Sequence, residues 1–183
     1  VIQQLLSNNF KFKEDSKHYL SIKTDIRIEI EGLQNIQDYC RTNRLPIDFP
    51  KKGYNFMEKN LYIFKDGKKA IVNTDLFNFR TTFSIETLLS PDSEIVQATL
   101  KAWQTNLKFY RLINRFTMIH EDFPIQIDLS IVRQSSKEAV NLKEANILNS
   151  NGKYEIEIEV INNKVDDTYT NEQLHNIFKK INK

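Results

Sequence analysis

KYEIEIEVINN, residues 153–163, alternates acidic and apolar side chains. In an extended strand successive side chains leave on opposite faces. Glu155, Glu157 and Glu159 therefore form one row, and Tyr154, Ile156, Ile158 and Val160 the other. Glu is a poor strand former, and like charges two residues apart on one face repel. Such a strand survives in one of two settings: its acidic face is bathed in water, or something positive sits against it. For an isolated strand of this kind the ordinary answer is a solvated outer face. The rest of the chain has to decide.

Working outward, alternation recurs. HYLSIKTDIRIEIE (18–31) reads as extended, with Ile26, Ile28 and Ile30 opposing Arg27, Glu29 and Glu31 before Gly32 ends it. LQNIQDYCRTN then carries Leu33, Ile36 and Cys40 at helical spacing, which puts Cys40 on a core face. Pro46 and Pro50 bracket a loop. LYIFKDGKKAIVN (61–73) predicts a hairpin with Asp66-Gly67 at its tip. FNFRTTFSIE (77–86) alternates as a single strand. Ser90-Pro91 predicts a capped helix start, with Val96, Leu100, Trp103 and Leu107 as its apolar stripe. KFYRLINRFTMI (108–119), the turn EDFP and IQIDLSIVR (125–133) read as a strand pair. Residues 136–148 fit a helix or an irregular connection, and Asn151-Gly152 turns into the acidic strand. TNEQLHNIFKKINK closes as a helix, with Thr170 and Gln173 as a capping box and Leu174, Ile177, Phe178 and Ile181 as its buried face.

Composition narrows the class. At 183 residues, 40% hydrophobic and 27% charged, the chain is long enough for one well-filled globular domain. A net charge of +2, from 26 basic and 24 acidic residues, announces no nucleic-acid coat, so any anion site must come from local clustering. One cysteine excludes an internal disulfide framework and fits a reducing compartment. No run approaches the length of a membrane-spanning helix, and VIQQLLSNNF lacks the basic start of a signal peptide. Because the sequence opens without Met, a processed chain or a piece of a longer one is expected. His18, His120 and His175 lack ligand spacing and read as structural or surface residues, while Trp103 reads as core.

Charges sort by strand. Glu29 and Glu31, then Glu155, Glu157 and Glu159, make acidic strands; Arg80, then Lys108, Arg111 and Arg115, then Arg133 beside Asp128, mark basic ones. In an antiparallel sheet closing into a barrel, acidic and basic walls would face each other across the lumen, and helices would cover the apolar outside. That lumen suits a hard divalent cation such as Mg²⁺ or Mn²⁺ held against a phosphate chain. Carboxylates at i, i+2 and i+4 stand roughly 7 Å apart per step, close enough to share direct and water-mediated contacts. Arginine forks suit phosphate oxygens, and a cation-activated water oriented by a glutamate is the natural nucleophile.

RLINR (111–115), IDLSIVR (127–133) and KYEIEIEV (153–160), preceded by FRTTFSIE (79–86), resemble the RNA triphosphatase domain of viral and fungal mRNA capping enzymes. These are triphosphate tunnel metalloenzymes, and the closest flavour is that of large cytoplasmic DNA viruses. The resemblance implies an α+β fold in which an eight-stranded antiparallel tunnel carries helices on its outside. It implies one tunnel domain over residues 1–183, within a longer chain bearing guanylyltransferase and methyltransferase domains. The implied reaction removes the γ-phosphate from 5′-triphosphate RNA with Mg²⁺ or Mn²⁺, in the host cytoplasm or virion and away from membranes. By position, Glu155, Glu157 and Glu159 match the metal-site strand, and Glu29 and Glu31 have the form of the family's first acidic strand, which otherwise lies before Val1. Arg80, Lys108, Arg111, Arg115 and Arg133 match phosphate-gripping positions, Asp128 an acidic position that orients the phosphates, and Glu157, Glu159 and Arg115 carry catalysis. Ile113 or Asn114, and Gln126, stand where the family often has a basic residue. Two alternatives follow: an inactive tunnel domain that binds RNA ends or scaffolds a partner enzyme, and a tunnel enzyme acting on nucleotides or polyphosphate.

Overall fold

The structure, a computed structural model, describes residues 1–46, 48–74, 79–161 and 172–173. The helix expected over 170–183 falls almost wholly outside them. Strands in the described residues pair antiparallel, and eight share a sheet with hydrogen-bonded order β10-β9-β8-β2-β3-β4-β7, β1 also lying on β8. Their ranges are β1 Phe10–Phe12, β2 Lys17–Lys23, β3 Arg27–Glu31, β4 Tyr54–Leu61, β7 Ser84–Leu88, β8 Phe109–His120, β9 Ile125–Gln134 and β10 Lys153–Val160. A separate ribbon pairs β5 (Ile71–Thr74) with β6 (Phe79–Thr82). The chain divides into two compact units: Val1–His18, Ile113–Val132 and Gly152–Lys183 form the first, Tyr19–Leu112 and Arg133–Asn151 the second.

In the second unit, alternation becomes a two-faced sheet. Registers Leu20↔Ile30, Ile22↔Ile28 and Ile28↔Phe56 stack the apolar residues of β2, β3 and β4 on one side. Helix α2 (Leu33–Thr42) covers that side with Ile36 and Tyr39, and α3 (Glu94–Lys101) with Val96; Trp103 and Tyr110 complete the core. Each fully buried Ile contributes about 1.5–3 kcal/mol, so this face holds the unit together. Gly53 closes against β3 at φ +85°, and a Cβ there would stand 2.8 Å from the Glu31 carbonyl oxygen.

Several expectations shift. The stripe of α2 is Ile36 and Tyr39, while Cys40 is exposed, because a helical step of three rather than four faces this core. Helix α3 starts at Glu94, three residues after Pro91, with Ser93 as its N-cap; Ser90 instead accepts from the Asp92 and Ser93 donors in a turn. FRTTFSIE splits at Phe83 into β6 and β7, and Phe83 and Ile85 stay exposed. Residues 142–149 form a short helix, Leu142–Ala145, and a 3₁₀ turn, Ile147–Asn149. The hairpin of 61–73 turns as expected, Gly67 taking φ +81° at its tip.

The first unit is smaller. Helix α1 (Ile2–Ser7) leads into β1, which pairs Phe10↔His120 and Phe12↔Met118 on β8. Phe10, Met118 and Ile127 make its core, with Leu5, Leu129 and Ile158 packed against them. His120 is structural, accepting the Asp122 and Phe123 N–H groups at Nδ1 and meeting the Phe10 ring edge-on. Among the described residues no helix covers the whole apolar row of β10: Tyr154 and Ile156 are 86% and 57% exposed.

Candidate metal and phosphate site

Strands β9 and β10 pair from Val132↔Lys153 to Ile125↔Val160, which sets Glu157 opposite Asp128 and Glu159 opposite Gln126. Directly opposed residues share a face, so the acidic row of β10 stands beside Gln126, Asp128 and Ser130. Arg115 and Thr117 join them from β8. The Arg115 guanidinium meets the Asp128 carboxylate at 3.1 Å through Nη1 and the Glu157 carboxylate at 2.8 Å through Nη2. Its Nε–H donates to Ser130 Oγ at 3.3 Å. Thr117 Oγ1 donates to the second Asp128 oxygen at 2.6 Å. Gln126 Nε2 donates to Glu159 at 2.9 Å. The acidic row therefore faces a guanidinium at Glu157, not open water alone.

Oxygen atoms of Asp128, Glu157 and Glu159 all lie within 4.8 Å of one another. Three carboxylates against one guanidinium leave two formal negative charges, the charge of one divalent cation. A hard, all-oxygen donor set at this spacing fits Mg²⁺ or Mn²⁺. Asp128 is buried, at 1% exposure, whereas Glu157 and Glu159 are open to solvent, so the group has an accessible side. Although Glu159 keeps exposed surface, its carboxyl is partly desolvated by its neighbours, and this raises its pKa. The Asp128 and Glu157 charges add to the rise; Arg115 and the Gln126 amide oppose it.

The other expected site residues are placed as follows. Glu155 sits opposite Ser130, on the same face but outside the carboxylate group. Glu29 and Glu31 are half-buried on β3 in the second unit, on the face that also carries Arg27. Arg111 is half-buried in that unit, on the wall of a cavity of about 650 Å³ shared with Lys23, Arg27 and Glu138. Arg80 is exposed on the β5–β6 ribbon opposite Asn73, outside the eight-stranded sheet. Lys108, expected to grip phosphate, is fully buried; its ammonium donates to the Asn106 and Val140 carbonyls at 2.6 Å and lies 4.8 Å from the Trp103 ring centre. Desolvation lowers its pKa, with Glu144 opposing. Arg133 is an odd number of residues from Asp128 on β9, so it leaves the strand on the other face, where it donates to the Leu148 carbonyl.

Thr117, Ser130 and Gln126 were not singled out as partners from sequence. Their signal was parity: each lies an even step from Arg115 or Asp128 on its own strand.

Neither a family model nor a curated protein matches the sequence. A solved structure does: the triphosphatase of the Mimivirus capping enzyme, in a monoclinic crystal, matches with a TM-score of 0.55 and 14% identity over 97% of this chain and 80% of that one. The fold is that of a capping-enzyme triphosphatase. The eight-stranded antiparallel architecture that the resemblance implies is therefore borne out. At this identity the likeness concerns the fold, and the chemistry has to rest on the residues.

Proposed function

We propose that the chain is a metal-dependent RNA 5′-triphosphatase domain that removes the γ-phosphate from nascent mRNA ends as the first step of capping. The observation that carries this reading is the convergence of Arg115 with Asp128, Glu157 and Glu159 on one sheet face, in a tunnel-type fold. Asp128, Glu157 and Glu159 are the residues that would hold Mg²⁺ or Mn²⁺. When bound, that cation neutralises charge on the phosphate oxygens and polarises the phosphoryl group. Arg115 offers a planar fork to the same oxygens, and its position is set by Asp128 and Ser130 before substrate arrives. Glu159, on the solvent-open side of the group, would orient the attacking water. Phosphoryl transfer asks for positioning and charge stabilisation more than for covalent help, and these groups supply both. Arg80 and Arg111 remain proposed contacts to the triphosphate, with Glu155, Glu29 and Glu31 as additional acidic groups; Arg133, on the opposite face of β9, does not join them. A guanylyltransferase domain is the partner such a product requires.

The test is release of γ-phosphate from triphosphate RNA by the intact chain with Mg²⁺ or Mn²⁺, compared with the Glu157→Ala variant. Loss of at least about 100-fold is expected, the scale of removing a preorganised charge from a phosphoryl-transfer site. Unchanged turnover would remove Glu157 from the site. Equal turnover of ATP in competition would move the substrate from RNA to free nucleotides.

A further inference from the structure

The hairpin over 61–73 carries an aromatic cluster that the proposed chemistry does not use. Backbone bonds Tyr62 N–H to Phe83 O, Ala70 N–H to Tyr62 O and Phe83 N–H to Ala70 O hold these segments side by side. Tyr62 meets the rings of Phe64 and Phe83 edge-on, at 5.5 and 5.3 Å between centres. Buried clusters of this kind are common, but here the three rings are 38%, 52% and 60% exposed. Tyr62 and Phe64 are two residues apart and share a face, while Ile63 leaves on the other. The tip beside them holds Lys65, Lys68 and Lys69, all exposed, against the single acid Asp66. Asp66 pairs with Lys68 at 3.0 Å, and among the described residues no ion pair involves Lys65 or Lys69.

Exposed rings flanked by lysines are what unpaired nucleobases and their phosphates recognise: bases stack on the π-faces, and the cations track the backbone. A protein partner covering the same rings would gain nothing from the lysines unless it were acidic. We infer that the Tyr62–Phe64–Phe83 face, with Lys65 and Lys69, binds single-stranded RNA downstream of its 5′ end. This inference rests on RNA being the substrate, and it adds a second contact remote in sequence from Arg115, Asp128, Glu157 and Glu159. Two functional consequences follow. Affinity depends on RNA length, and a free nucleotide, too short to reach beyond the reacting end, gains nothing from this face.

The experiment measures anisotropy of a labelled single-stranded RNA of about 20 nucleotides with a 5′-hydroxyl end, so that no triphosphate contributes. Phe64→Ala with Phe83→Ala is expected to weaken binding about tenfold or more. Lys65→Gln with Lys69→Gln is expected to flatten the log–log salt dependence by about 1.4, two phosphate contacts on a single strand. Both pairs are surface substitutions, and an unchanged thermal midpoint confirms folding. Unchanged RNA affinity in both variants overturns the inference, as does equal competition by fully duplex RNA, whose bases cannot stack on the rings. So does an altered sedimentation coefficient with unaltered RNA affinity, which assigns the face to a second copy of the chain. Because the probe lacks a triphosphate, RNA binding without γ-phosphate release defeats the proposed activity alone, and activity without patch-dependent binding defeats this inference alone.

Discussion

Glu159 shows how one residue's surroundings set its chemistry. Partial burial and the neighbouring Asp128 and Glu157 charges raise its folded pKa above the ordinary Glu value of 4.5. The folded chain then holds this proton more tightly than the unfolded chain does. Stability from this group is greatest below 4.5 and is lost as pH rises from there through the raised value. Glu159→Gln removes that loss while keeping an acceptor for Gln126. The variant should match the parent in acid and exceed its thermal midpoint near neutral pH, without added metal. A midpoint difference independent of pH would show that Glu159 is not destabilised by its neighbours. Cys40 illustrates the opposite limit: its place on the helical wheel suggested core, yet one position along, Tyr39 took that place.

At the scale of elements, Arg115 is the cross-strand tie. From β8 it reaches Asp128 and Ser130 on β9 and Glu157 on β10. The two ion pairs differ in weight. Glu157 is 44% exposed, and an exposed pair contributes little. Asp128 is buried, so among the described residues its carboxylate without the guanidinium keeps only Thr117 and becomes an uncompensated buried charge. Arg115→Ala should therefore destabilise the chain by about 3 kcal/mol in denaturant unfolding. Asp128→Asn in the same background should recover part of that loss, since the charge left behind is removed. A loss under about 1 kcal/mol for Arg115→Ala would mean that Asp128 is satisfied without it.

For the whole molecule, the carboxylate group couples folding to cation binding. A ligand that binds only the folded chain stabilises it by about 2.7 kcal/mol at a hundredfold excess over its Kd. Adding Mn²⁺ should raise the thermal midpoint, EDTA should reverse the rise, and Glu157→Ala should abolish it. A rise that persists in Glu157→Ala would place the cation elsewhere. Among the described residues no helix is long and apolar enough to span a membrane.

Much of this was legible from residue order alone. Period-two alternation marked β3, β9 and β10, because pleated geometry leaves no other face for the side chains of KYEIEIEV. Asp66-Gly67 marked its turn because Gly67 must take a positive φ. Even the placement of Arg133 was present as an odd spacing from Asp128. What local pattern could not provide was register: only the pairing of β9 with β10 sets Glu157 beside Asp128 rather than one residue away. Nor could it separate the two lysine and arginine fates. Lys108 and Arg115 look equally basic in sequence, yet packing buries one against backbone carbonyls and Trp103 and aims the other at carboxylates. Periodicity is a property of the strand, so the sequence determined which residues share a face; which faces meet depends on contacts between strands distant in the chain, and only the tertiary structure decided that.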